Sequence, residues 1–317
     1  MTKTIVVALG GNAIQNAGQA DTMEEPFKSV RNASDQILEM IKDGYKVVLT
    51  HGNGPQAGNL LLQQEECVKL APPQRLDVVV AMTQGQIGYM LQRTLNVAFE
   101  KAGLDVNVLT LITQVLVEKD DPDFKDPSKP VGPFYTKRDA EMLSSTKGYK
   151  IRKIKPKGRK VYRRVVPSPD PKDIVEKEII KSLVDQGVVV IASGGGGIAV
   201  TTCTNGDLDG IEAVIDKDLA GEKLAEAVSA DIFLILTDVE CVKLNYGQTN
   251  EQNIYGLTMK EAKKYLQEGH FLAGSMGPKV KACIRFLEFG GEKAIIASLD
   301  KAKEALEGKS GTLFTRV

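Results

Sequence analysis

Five short stretches carry the residues that could do chemistry. Gly10-Gly11-Asn12 ends an apolar run that begins at Ile5, and His51-Gly52-Asn53-Gly54-Pro55-Gln56 ends a second run, Tyr45 to Thr50. Asp216-Lys217-Asp218 sets one lysine between two carboxylates, Gly274-Ser275-Met276-Gly277-Pro278-Lys279 brings another out of a glycine turn, and Ser193 to Ala199 contains four consecutive glycines. Glycine has no Cβ, so its backbone turns sharply and its N–H groups can approach an anion. Asn12 adds a side-chain donor. Phosphoryl transfer asks a protein mainly for positioning and for positive charge around the moving group, and glycine turns with lysines and carboxylates are suited to that. Pro278 suits a first helical position, so Lys279 is expected in a first turn whose free N–H groups already favour a phosphate. A lysine there is otherwise electrostatically misplaced.

The common phosphate cradles are absent. There is no G-x-x-x-x-G-K-[ST] and no protein-kinase glycine loop with its partners. Ser193 to Ala199 partly fits a dinucleotide fingerprint, with Asp216 further on, but the fingerprint needs a helix after the glycines, and Ala199 to Thr204 is β-branched. Those glycines either let the backbone lie against a substrate or make a structural turn. His51 reads as a hydrogen-bonded turn residue rather than a base. Cys67, Cys203, Cys241 and Cys283 are scattered, with only His51 and His270 as companions, which disfavours zinc.

The elements that must position these residues follow an α/β rhythm. A chain of 317 residues with 42% hydrophobic and 26% charged content suits one large or two medium domains. Ile5 to Leu9 is apolar on both faces, as in a parallel strand covered by helices on each side. Helices are expected over Pro26 to Lys42, Ala57 to Lys69, Asp77 to Ala102, Pro171 to Gln186, Ala220 to Val228 and Val280 to Phe289, and Thr258 opens another with a capping box to Glu261. Strands are expected over Val106 to Val117 (one or two), Val188 to Ala192, Asp231 to Asp238, Lys293 to Ser298 and Thr312 to Thr315. Two glycine turns at the carboxyl ends of adjacent strands make one composite site. Asp120 to Pro171, rich in proline, lysine and aspartate, breaks the rhythm and is too long for a plain connection, so it reads as an inserted small β subdomain projecting over the site. Its stretch Lys147 to Arg164 is strongly basic, either phosphate-facing or a solvated surface. Over the whole chain charge is balanced, 41 cationic residues against 41 acidic, which gives no reason to expect nucleic acid or an anionic membrane as partner. No apolar run reaches the length of about 20 residues needed to span a membrane. Met1 leads straight into the first strand, and with scattered cysteines this suits a reducing cytoplasm.

Taken together, Ala8-Leu-Gly-Gly-Asn-Ala13, His51 to Gln56, Val214 to Asp218, Leu236-Thr-Asp-Val239 and Gly274 to Lys279 resemble the carbamate kinases, a branch of the amino acid kinase family. The resemblance runs in order from the first strand to the last. It implies a three-layer αβα sandwich with a mainly parallel sheet, and a homodimer. It also implies the reversible reaction of ATP with carbamate to give ADP and carbamoyl phosphate, with Mg²⁺, in arginine catabolism. Carbamate is unstable, so the substrate's chemistry, rather than the sequence, makes ATP synthesis a plausible useful direction. By the same resemblance an N-terminal lobe, 1–180, takes carbamate or carbamoyl phosphate, and a C-terminal lobe, 181–317, takes the nucleotide. Gly10, Gly11, Asn12, Gly52, Asn53 and Gly54 would hold the carbamate or the transferring phosphoryl group. Lys217 and Lys279 would stabilise the phosphates, Asp218 would orient them and assist the metal, and Thr237, Asp238, Tyr246, Met276 and Gly277 would lie near the nucleotide. Relatives such as acetylglutamate kinase carry a lysine where this chain has Ala8. In carbamate kinases the insertion supplies that charge, and Lys129, in a loop stiffened by Pro127 and Pro130, matches it. A family enzyme with a larger acceptor, or a nucleotide sensor without turnover, are the competing readings.

Overall fold

The computed structural model describes residues 2–11, 24–272 and 274–317. Within them the apolar segment Thr4–Leu9 is a strand, and from Ile5 to Leu9 no side chain is reached by solvent (0% exposed). Its alternate residues face opposite ways. Ile5, Val7 and Leu9 join Ile37 of the helix Glu24–Lys42 and Leu91 and Phe99 of the helix Leu76–Lys101. Val6 and Ala8 join Leu224 of the helix Lys217–Ala227 and Val280 and Phe286 of the helix Met276–Phe289. Helices therefore cover both faces, and the architecture is the expected three-layer αβα sandwich. Each such fully buried aliphatic or aromatic side chain contributes about 1.5–3 kcal/mol.

Thr4–Leu9 lies inside an eight-stranded sheet, in the order Gly256–Thr258, Thr312–Thr315, Lys293–Ser298, Ile232–Thr237, Thr4–Leu9, Lys46–His51, Val189–Ile191, Val108–Thr110. Every neighbouring pair is parallel except Thr312–Thr315 against Lys293–Ser298. The register pairs Leu9 with both His51 and Leu236, so three strands end level and their loops share one edge. The sheet is hydrogen-bonded without a seam. Val189–Ile191 lies between Lys46–His51 and Val108–Thr110.

A second sheet runs Leu208–Gly210, Ile198–Thr202, Gln114–Val117, Pro171–Ile174. Val106 to Val117 thus splits into two strands of different sheets. The break comes at Thr113, whose N–H and carbonyl are both taken by the buried Gln84 side chain, at 2.8 and 3.0 Å. Pro171 to Gln186 is not one helix: Pro171–Ile174 is a strand, with Ile174 paired to Val115, and the helix is only Lys177–Asp185. Residues 118–170 leave and return through the adjacent antiparallel strands Gln114–Val117 and Pro171–Ile174, and they contain a three-stranded sheet and the helix Lys137–Lys147. Gly88 fits by size: a Cβ there would come within 2.2 Å of Thr110, so its bare backbone admits the strand Val108–Thr110.

On the helix Lys217–Ala227 lies Glu222, 0% exposed, with neither carboxylate oxygen hydrogen-bonded. Burial pushes its pKa up to about 9, and neighbouring Glu226 adds to the shift; a retained proton gives Glu222 a donor for that carboxylate. The unfolded chain loses this proton near the ordinary glutamate value and the folded chain keeps it, so the group's contribution to stability falls as pH rises between the two. Glu222→Gln is expected to melt at a higher temperature than wild type, with a difference that widens from pH 5 to pH 9. A pH-independent difference in calorimetric scans contradicts this.

Candidate active site

The glycine turns after the first two strands meet edge to edge. Gly10 N–H donates to the Leu236 carbonyl at 2.8 Å and Gly52 N–H to that of Leu9 at 3.1 Å. A Cβ on Gly52 would lie 3.5 Å from Gly11 N and 3.4 Å from Lys217 Cδ, so the turns pack across the Lys217 stem. Asn53, 6% exposed, donates from Nδ2 to Thr83 Oγ1 at 3.0 Å. Gly54 and Pro55 begin the helix Gly54–Glu66, whose start has no side-chain cap from Asn53.

The helix Lys217–Ala227 starts earlier than its sequence suggested, because Asp216 is its N-cap and accepts from Asp218 N–H at 2.9 Å. Asp216-Lys217-Asp218 is therefore a capped first turn. Asp218 accepts from Lys217 Nζ at 2.5 Å through Oδ1 and from Lys279 Nζ at 2.7 Å through Oδ2. Asp216 accepts from Lys129 Nζ at 2.8 Å. Burial alone would raise the Asp218 pKa, but the two lysines outweigh it and hold the carboxyl well below the usual range. Burial pulls Lys217 down; the same burial at Lys279 is outweighed by Asp218, which keeps its pKa raised. The two lysines shift in opposite directions although they share one partner. The short bonds to one ionised carboxylate favour the ammonium form of both. Three ammonium groups against two carboxylates leave this cluster at net +1.

The helix Met276–Phe289 also begins earlier than expected, which moves Pro278 to the third position and Lys279 to the fourth. The missing N–H of Pro278 still falls among those without an intrahelical partner. Lys129 opens the strand Lys129–Tyr135 rather than sitting in a loop.

Gly11, Gly52, Asn53, Gly54, Lys129, Lys217, Asp218 and Lys279 all line one cavity of about 250 Å³. Asn12 lies outside the described residues. Thr237 and Asp238 line a different cavity of about 490 Å³ with Asp35, Gln36 and Asp300, although Asp238 is near enough to raise the Lys279 pKa. Tyr246 is exposed, Met276 packs against the core, and Gly277 sits against Leu272, where a Cβ would be 3.2 Å from the carbonyl oxygen; none of the three lines the lysine cavity. Asp218 does not fit as a magnesium ligand. Both its oxygens are engaged, and two ammonium groups within 2.7 Å would repel a divalent cation. Among the described residues no group of three or more His, Cys, Asp or Glu could hold a metal.

Of the two readings of Ser193 to Gly197, the structural turn accounts for most of the run. Of the four glycines only Gly195 lines the cavity. A Cβ on Gly194 would fall 2.4 Å from His51 Nε2, on Gly195 2.3 Å from Asn53 Nδ2, on Gly196 2.3 Å from the Ile215 carbonyl oxygen and on Gly197 2.3 Å from Val115 Cγ2. The run is a wedge against the loop that delivers Asp216, and its signal was the four glycines themselves. Buried His51 donates from Nδ1 to its neighbour's carbonyl at 2.9 Å, and burial lowers its pKa to about 4, so it is neutral and structural.

The amino acid kinase family's sequence profile matches residues 3–298. The chain belongs to the amino acid kinase family. It is 55% identical over 314 residues to the carbamate kinase of Pyrococcus furiosus, spanning 98% of this chain and 99% of that one, and 55% identical over 317 residues to that of Thermococcus kodakarensis, spanning 99% of each. Its fold matches the carbamate kinase of Giardia lamblia bound to AMP-PNP with a TM-score of 0.90 and 42% identity, over 99% of this chain and 98% of that one. 

Gly11 and Gly196 separate chemistry from packing. A Cβ on Gly11 meets nothing within 4 Å. Gly11→Ala is expected to keep the wild-type melting temperature while losing roughly tenfold or more in kcat/KM for phosphoryl transfer. Gly196→Ala, strained also by φ +96°, is expected to lower stability by about 3 kcal/mol or more. Equal melting temperatures for the two variants would contradict the assignment.

Proposed function

We propose that this chain is a carbamate kinase, catalysing the reversible transfer of a phosphoryl group between ATP and carbamate to give ADP and carbamoyl phosphate. The observation that carries it is the convergence of Lys129, Lys217 and Lys279 on one cavity of about 250 Å³, each held by a carboxylate. The cavity's size supports a small acceptor over an acylated amino acid. The three ammonium groups offset charge on the transferring phosphoryl oxygens, while Gly11 and Gly54 present backbone donors and Asn53 its amide to the acceptor, and Gly52 lets the backbone come close to it. The nucleotide approaches from the side of Thr237, Asp238 and the helix start at Met276 and Gly277, with Tyr246 nearby. The N-terminal part of the chain thus takes the acceptor and the C-terminal part the nucleotide. Mg²⁺ would travel on the nucleotide phosphates, since the described residues offer it no carboxylate cage.

The insertion acts as a lid that brings Lys129 to the phosphoryl group and excludes water. Four free cysteines support a reducing cytoplasmic setting, and no helix among the described residues is long and apolar enough to cross a membrane. A homodimer is supported by an apolar stripe on the helix Leu76–Lys101, where Val78, Met82, Tyr89 and Val97 are 40–57% exposed beside Leu109 and Ile112.

A coupled assay of ATP formation from ADP and carbamoyl phosphate tests the reaction, and turnover is expected. ADP binding without ATP formation would favour a sensor. In analytical ultracentrifugation Met82→Glu with Tyr89→Glu is expected to shift a dimer to monomer; an unchanged dimer would place the interface elsewhere.

A further inference from the structure

The insertion's stem is fastened to the helix that carries Lys279 through a residue outside the cavity. Asp170, the last residue before Pro171–Ile174, accepts two parallel bonds from Arg285, Nη1 to Oδ1 at 2.6 Å and Nη2 to Oδ2 at 2.5 Å, and a third from Lys281 Nζ at 2.9 Å. Planar bidentate pairs of this kind fix orientation as well as distance. Burial would raise the Asp170 pKa, but Arg285 and Lys281 outweigh it and hold the carboxyl down at about 2.

From Asp170 the bonds continue toward the site. Its N–H donates to Asp121 Oδ2 at 3.0 Å, tying the returning limb to the outgoing one. Asp123 Oδ2 accepts from Ser168 N–H at 2.5 Å and from Ser128 Oγ at 3.1 Å, and Ser128 directly precedes Lys129. The returning limb also accepts Val214 N–H on the Pro167 carbonyl at 2.9 Å, two residues before Asp216. Lys281 and Arg285 lie on the helix that begins at Met276 and carries Lys279. A contiguous network thus joins the element bearing one cation to the arm bearing another.

We propose that Asp170 is a positioning residue that sets the register of the insertion against the Lys279 helix, and so places Lys129 for transfer. This rests on the carbamate kinase reading, and it deepens that reading by naming what aligns the arm. Nucleotide binding does not pass through Asp170; delivery of Lys129 does.

The test is a double-mutant cycle in the full chain, read by the ATP-forming assay, by calorimetry with ADP, and by hydrogen exchange. Asp170→Asn is expected to lower kcat/KM for carbamoyl phosphate about tenfold or more, to leave ADP affinity within twofold, and to have no further effect in the Lys129→Ala background. Asp170→Glu is expected to recover part of the loss, and Lys281→Gln, which keeps the Arg285 pair, to lose less than Asp170→Asn. Exchange over residues 118–131 is expected to rise several-fold in Asp170→Asn. The proposal is overturned if Asp170→Asn is as active as wild type, if it multiplies fully with Lys129→Ala, or if ADP affinity falls in parallel. If wild-type protein makes no ATP, the functional reading fails by itself. The exchange result then still decides whether Asp170 holds the stem.

Discussion

One buried carboxylate between two ammonium groups is the interaction on which the site depends. Asp218 is 3% exposed and bonds Lys217 and Lys279, which come from different helices. Without it, two like charges would face each other in a region where burial already disfavours the charged form. With it, they sit close enough to act on one phosphoryl group, and their own charge is only half cancelled. Such an arrangement costs desolvation, so it is better understood as specifying geometry than as adding stability. The fold meets its requirements at each end: Asp216 caps one helix so that Lys217 can occupy its first turn, and the uncapped start of the other leaves Lys279 free to reach across.

The backbone around this cluster is held by absence of side chains. Gly52 clears the Lys217 stem, and Gly196 clears the Ile215 carbonyl just before Asp216. Ser193 adopts a left-handed conformation at φ +52° with its carbonyl accepting from Thr50 Oγ1 at 2.9 Å and its N–H donating to Thr113 Oγ1 at 3.1 Å, so a strained residue is bound at both ends. The strand ends, the glycine wedge and the capped helix therefore form one rigid seat. The insertion is joined to it by polar contacts, Lys129 to Asp216 and Asp170 to Arg285, which break more readily than a packed core.

The central strand was readable because Ile5 to Leu9 is apolar at every position, and only a strand covered on both faces buries it completely. The glycine turns were readable as a pair because parallel strands in register must end at the same edge. Local periodicity failed where tertiary partners decide the outcome. Pro171 looks like a helix start, yet Ile174 completes a ladder with Val115; Pro278 looks like a first helical residue, yet the helix begins at Met276. Ion pairs across long separations left no local trace, so neither Asp216 as partner of Lys129, 87 residues away, nor Asp170 as partner of Arg285, 115 residues away, could be read from spacing. The family resemblance supplied Lys129, and the geometry supplies its partner.

The most direct test of this account is the turnover of Asp218→Asn in ATP formation from ADP and carbamoyl phosphate, followed from pH 7 to pH 9. Removing the carboxylate's charge leaves Lys217 and Lys279 opposed, so one of them loses its proton more easily. The account predicts kcat lower by roughly 10²-fold or more, falling further as pH rises, while the circular dichroism spectrum stays that of a folded protein. Turnover within a few-fold of wild type, with an unchanged pH profile, would contradict the claim that Asp218 organises the two lysines for catalysis.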